Sequence, residues 1–116
     1  MALLDWTNYK TELMQRIGNL QKLSPDSVAG YLTASGAGAK TGNLDEKTRQ
    51  LISLAVAATT RCDGCISVHS ELAVKNGATK AEIAEALGVA IAMNAGAALV
   101  YSARVLDAVD AFSSKS

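Results

Sequence analysis

Three scarcities shape this 116-residue chain. It has one proline, Pro25, so helices are free to run wherever the pattern allows them. Aromatic residues are 4% of the sequence, so a core has to be built from small aliphatic side chains, alanine above all, and helices can approach closely. No sign of charge prevails: 11 Lys plus Arg balance 11 Asp plus Glu. That balance removes the field that draws a protein to nucleic acid or to an anionic membrane. No tract interleaves basic and aromatic residues, and no nucleic-acid partner is expected. The opening MALLDWTNYK lacks the basic start and long apolar run of a secretory signal. The most apolar stretch, 86–100, is interrupted by Asn94 and is shorter than the ~20 residues of a membrane span. It reads as a buried helix of a soluble, cytoplasmic protein with no membrane partner.

What is present points to helices. Hydrophobic residues are 49% of the chain, enough for one all-α domain over residues 1–116 and too little length for two. In DWTNYKTELMQRIGNLQKL, Trp6, Tyr9, Leu13, Ile17 and Leu20 fall at helical spacing. Ser24 before Pro25 reads as an N-cap with proline at the first helical position. Val28, Tyr31 and Leu32 are expected to face inward, and Gly36, Gly38 and Gly42 to form a flexible connection. Asn43 with Glu46 three residues on suggests a capping box for a helix to about Thr59. Its Leu44, Thr48, Leu51, Ile52, Ala55 and Val56 predict burial on much of the circumference. A further helix is expected from about Cys62 to Asn76, with Gly77 as its stop. Thr79 and Glu82 repeat the capping-box pattern ahead of Ile83, Leu87, Ala90 and Ile91. Gly88, Ala92 and Gly96 make a stripe of small residues; this last segment is one helix, or two broken near 94–96. Segments apolar nearly all round need cover on every side, which predicts an oligomer.

Both cysteines and the single histidine lie within TRCDGCISVHSELAVKNG, residues 60–77. On a helix, Cys62, Cys65 and His69 occupy one face at i, i+3 and i+7. The two thiols are close enough to form a disulfide with little backbone movement. A helix N-terminus lowers the pKa of a Cys62 thiolate; Arg61 adds to the effect and Asp63 opposes it. One turn after Cys65, His69 can take its proton directly or through water. The set reads as a redox dithiol with its own base. Three duller roles compete: core packing, a zinc site, which wants a fourth ligand that no second Cys or His pair supplies, and a static disulfide, which a reducing compartment disfavours.

From LDEKTRQLISLAVAATTRCDGCISVHSELAVKNGATKAEIAEAL through the Ala/Gly-rich helix ending in LVY, the chain resembles the carboxymuconolactone decarboxylase-like fold in its alkylhydroperoxidase D-like (AhpD-like) branch. The resemblance covers roughly residues 40–112. It implies an oligomeric helical bundle; because the decarboxylase branch lacks the cysteine pair, it implies thiol redox chemistry here in place of decarboxylation. In that branch Cys65 would attack a hydroperoxide, Cys62 would resolve the sulfenic acid to a disulfide, and His69 would belong to a proton relay. A dithiol reductant, a lipoylated or thioredoxin-like protein, would restore the thiols. The helix-terminus argument favours Cys62 as the acidic thiol; the resemblance and the position of His69 favour Cys65, and that assignment is adopted. Two positions depart from the family pattern. Gln50 stands where the family has the glutamate that completes the relay, and Gly64 stands where its best-known members have a histidine. An amide cannot accept a proton at neutral pH. Glu46, one turn earlier, is a possible relay carboxylate; Glu71, Glu82 and Glu85 are others, with a solvated face or a cap as their ordinary role. The resemblance also implies a trimer or a hexamer with sites near subunit contacts, and a homohexamer, built as a trimer of dimers, is the expectation adopted. Neither pattern nor resemblance calls for a cofactor or metal. The alternatives are a redox-sensing or structural oligomer without turnover, and a lactone decarboxylase independent of the cysteines. Tyr31, Met93 and Tyr101 are candidates for a substrate pocket or for the core.

Overall fold

The structure, a computed structural model, describes residues 1–113. It is all-α among those residues: α1 (Trp6–Leu23), α2 (Pro25–Thr41), α3 (Glu46–Thr60), α4 (Asp63–Lys75) and α5 (Lys80–Ser113). α3 lies between α4 and α5, and α1 packs on α2 and α4.

The helix ends follow local chemistry. Asp5 caps α1 by accepting from the Asn8 N–H at 3.1 Å. Ser24 takes the N-cap position and Pro25 opens α2, as expected; the Ser24 hydroxyl makes no capping bond to the backbone and instead donates to that of Ser27 at 2.9 Å. The expected glycine linker is instead helix. α2 runs through Gly36 and Gly38 and stops at Gly42, whose φ of 66° takes the left-handed C-cap. Alanines around the glycines favour the helix, and Gly38 answers a packing need: a Cβ there would lie 2.8 Å from Arg49 Cδ. α3 is capped by Asp45, not Asn43; the Asp45 carboxylate accepts from the Thr48 N–H at 2.8 Å. The Thr79–Glu82 box forms in both directions, at 3.1 and 2.9 Å. At the end of α4, Gly77 (φ 83°) donates to the Val74 carbonyl and Ala78 to that of Ala73, the pair of bonds of a Schellman stop. α5 is one helix through Asn94 and Gly96. Asn94 donates to the Ala90 carbonyl of its own helix (2.7 Å) and to Thr59 Oγ1 on α3 (2.9 Å), so it pins α5 rather than breaking it.

Burial departs most from expectation. The buried apolar residues are Val28, Leu54, Ala57, Ala73 and Ala90. Tyr31, Leu32, Leu44, Ile52, Val56 and Ile91 are exposed, and the apolar centre of α5 is 6% buried rather than enclosed. The reason is geometric. α5 extends about 51 Å at 1.5 Å per residue, and among the described residues α3 is the one helix that packs extensively against it. The chain exposes 8928 Å², against about 6,000 Å² for a compact monomer of its mass. Its radius of gyration is 19.2 Å, against about 13 Å for a compact domain of this length.

Candidate functional site

Two residues connect α3 to α4. Arg61 takes the left-handed conformation (φ 55°) as the C-cap of α3, and Cys62 is extended as the N-cap of α4. Arg61 is the one non-glycine residue with positive φ among those described. This tight reversal lays α4 back along α3 and brings residue 50 beside residue 69.

Cys62 and Cys65 form a disulfide, with Cα atoms 5.2 Å apart. The Cys62 sulfur does what a capping oxygen does elsewhere: it accepts from the Cys65 N–H at 3.1 Å. Both cysteines sit in the first turn, half-buried, where the unpaired N–H groups and the helix dipole favour a thiolate at either sulfur. His69 is half-buried one turn on. Its hydrogen bond goes to Gln50 and not to a sulfur; in this disulfide state Cys65 carries no proton to exchange.

Gln50 is 6% exposed, and its Oε1 lies 2.7 Å from His69 Nδ1. Its Nε2 donates to Glu46 Oε1 at 2.9 Å. Arg49 donates to the other oxygen of Glu46 through Nε at 3.0 Å and through Nη2, and to the Leu44 carbonyl through Nη1. The structure therefore gathers Cys62, Cys65, His69, Gln50 and Glu46 in one place, in a line running Arg49, Glu46, Gln50, His69. Burial holds the His69 imidazole below its ordinary pKa, and the negative Glu46 offsets this in part. The Gln50 amide, and after it the Arg49 guanidinium, hold the Glu46 carboxyl below the usual carboxylate range.

The other carboxylates are engaged elsewhere. Glu71 pairs with Lys10 across α4 and α1 at 2.6 Å, Glu82 pairs with Lys47 across α5 and α3 at 2.7 Å, and Glu85 is exposed on α5. Tyr31, Met93 and Tyr101 are exposed, and Arg104 stacks on Tyr101 at 5.0 Å. A groove of about 860 Å³ between α1 and α4 is lined by Trp6, Met14, Ile66 and Val74 among others, and by neither cysteine. Among the described residues, no group of three or more His, Cys, Asp or Glu is arranged to hold a metal ion.

One contact was not anticipated. A Cβ on Gly64 would lie 2.7 Å from Leu13 Cδ2. The position between the cysteines where the resembled family carries a histidine is thus closed by a leucine of α1. The glycine itself was the available signal, since a side chain is omitted where another element comes close.

The carboxymuconolactone decarboxylase family matches residues 25–108, from the start of α2 to the last turns of α5. The chain belongs to that family. An uncharacterised protein of Haemophilus influenzae is 53% identical over 105 residues, covering 90% of this chain and 92% of that one. A protein of the cox locus of Paracoccus denitrificans is 45% identical over 69 residues, covering 60% and 62%. In three dimensions the chain is similar to the apo form of a carboxymuconolactone decarboxylase family protein from Legionella pneumophila. The TM-score is 0.71 at 35% identity, over 93% of this chain and 96% of that one. The five-helix arrangement is accordingly a fold of the carboxymuconolactone decarboxylase family, and Cys62 and Cys65 lie within the matched region.

Proposed function

We propose that this member of the carboxymuconolactone decarboxylase family is an alkylhydroperoxidase D-like thiol peroxidase or disulfide oxidoreductase. The observation that carries the reading is a Cys62–Cys65 disulfide in the first turn of α4 with a hydrogen-bonded histidine one turn later. In the reduced enzyme His69 takes the Cys65 proton. The thiolate attacks a hydroperoxide oxygen; the S–O bond forms, the O–O bond breaks, and the leaving alkoxide recovers the proton from His69. Cys62 then attacks the Cys65 sulfenic acid. The S–S bond forms and water leaves, which gives the disulfide state. A dithiol, on a lipoylated or thioredoxin-like protein, reduces the disulfide by exchange and is itself oxidised. The cytoplasm supplies such reductants.

The assembly proposed is a homohexamer. The exposed apolar surface of α5 and the roughly 3,000 Å² of surface beyond that of a compact monomer support an obligate contact, a class of interface that buries about 2,000–5,000 Å² in total.

The test is consumption of a small organic hydroperoxide with a dithiol at neutral pH. Wild type, Cys65→Ser, Cys62→Ser and the double variant are compared. Turnover lost in each single variant, with a trappable sulfenic acid at residue 65 only in Cys62→Ser, supports the assignment. Sulfenic acid at residue 62 in Cys65→Ser reverses the roles of the two cysteines. Activity that survives the double variant on a lactone substrate moves the protein to decarboxylation. A disulfide that forms without turnover leaves a redox sensor.

A further inference from the structure

The replacement of the relay glutamate by Gln50 raises a question that the geometry answers. A glutamine side chain is ambiguous: its oxygen accepts and its nitrogen donates, and either end can face a given neighbour. The orientation is decided by what lies at the far end. Here that is Glu46, which is ionised and can only accept. The Gln50 Nε2 must therefore point to Glu46, and its Oε1 to His69. An oxygen facing Nδ1 at 2.7 Å requires a proton on Nδ1. In the neutral imidazole that leaves Nε2 without a proton.

We infer that Glu46 is a positioning residue that acts through Gln50: it fixes the amide so that His69 is held as the Nδ1–H tautomer, with Nε2 free to act as the base. Glu46 is not a proton acceptor in this arrangement, because a glutamine stands between it and the ring. Its own placement is fixed in turn. Arg49 grips Glu46 Oε2 through two nitrogens and reaches the Leu44 carbonyl, and Arg49 can lie there because position 38 has no side chain. Gly38 on α2, Arg49 and Glu46 thus set the tautomer of a histidine that none of them touches. The inference rests on the proposed redox reading for its purpose, and on hydrogen-bond chemistry alone for its truth.

His69 is the chain's single histidine, which makes the test direct. Full-length oxidised protein, labelled with 15N only in histidine, gives one imidazole whose two nitrogens are read by long-range proton–nitrogen correlation at pH 8. Wild type is expected to show a protonated Nδ1 and an unprotonated Nε2. Glu46→Gln replaces the obligate acceptor with another ambiguous amide, and the ring is expected to move to a mixture of tautomers or to Nε2–H. Gln50→Leu is expected to do the same. Helix content by circular dichroism shows that each variant is folded; if Glu46→Gln unfolds, Gly38→Ala, which displaces Arg49, supplies the second reading. An Nε2–H wild type overturns the inference, and so does a tautomer unchanged in Glu46→Gln. The measurement needs no turnover. A wild type with the Nδ1–H tautomer and no peroxide or disulfide chemistry keeps this inference and removes the redox reading. Turnover with the Nε2–H tautomer does the reverse. In the reduced protein, Cys65 alkylation in Glu46→Gln is expected to shift to higher pH without a change in the maximal rate, which a merely structural loss would not produce.

Discussion

At the scale of single residues, His69 has two neighbours of opposite effect on its charge. Burial disfavours the imidazolium and Glu46 favours it, with burial the larger. A histidine whose folded pKa lies below its unfolded value binds fewer protons when folded. Stability is then present in full above the unfolded value near 6.5 and declines as pH falls through it to the folded value. Urea midpoints of wild type and His69→Gln are expected to diverge in that window, wild type losing ground as pH drops; parallel curves would place the ring outside the linkage. Gln50→Glu puts a carboxylate against Nδ1 and should raise the His69 pKa, which the single imidazole reports in an NMR titration. His69→Gln should raise the pH at which Cys65 is alkylated, and an unchanged profile would remove His69 from the proton path. The site residues were legible because cysteine and histidine are rare here and fall at helical spacing. Gln50 and Glu46 were reached only through the family resemblance, since glutamine and glutamate on a helix carry no signal of their own. Arg49, Gly38 and Leu13 were out of reach: the role of Arg49 depends on the room left by Gly38 on the neighbouring helix, and Leu13 meets Gly64 from a helix distant in sequence.

At the scale of elements, the helices were legible and their ends were not. Asn43 and Asp45 are both competent caps, and only three-dimensional placement selects Asp45. Gly36 and Gly38 carry a helix penalty of about 1 kcal/mol each, which reads as a break until the room needed by Arg49 is seen. The capping box of α5 is doubly held, because Glu82 also pairs with Lys47. Thr79→Ala should cost about 1 kcal/mol, measured by urea denaturation. Gly64→Ala forces a side chain into Leu13, and Leu13→Ala in the same chain makes room for it. The double variant should be more stable than the sum of the two single losses predicts. Strict additivity would mean that α1 does not rest on the redox turn.

For the whole molecule, the single chain leaves much of its apolar surface uncovered. Apolar residues on every side of α5 were read as a buried helix; the single chain leaves them bare. In the proposed oligomer the pattern would record burial in the assembly, without saying which chain provides it. α5 also has the length and hydropathy to cross a membrane, so the assembly needs its own test. Light scattering after gel filtration in detergent-free buffer should give a discrete oligomer. Ile91→Asp and Val105→Asp, both at exposed positions, should each shift it to smaller species. A wild type that runs as a monomer, or that dissolves only in detergent, would exclude the proposed hexamer.

The two-residue link at Arg61 and Cys62 has a kinetic consequence. Every member of the line from Glu46 to His69 lies within the α3–α4 pair, so closing the site costs little chain entropy and its contacts are among the most local in the molecule. The antiparallel pair is therefore expected to form in the folding transition state, ahead of the docking of α5 and of any subunit contact. Leu54→Ala, in α3, should slow folding, whereas truncations in the outer half of α5 should leave the folding rate unchanged and slow only association. In the proposed oligomer, the cysteine pair would then be in place, open to oxidation, on a chain that has not yet met its other subunits.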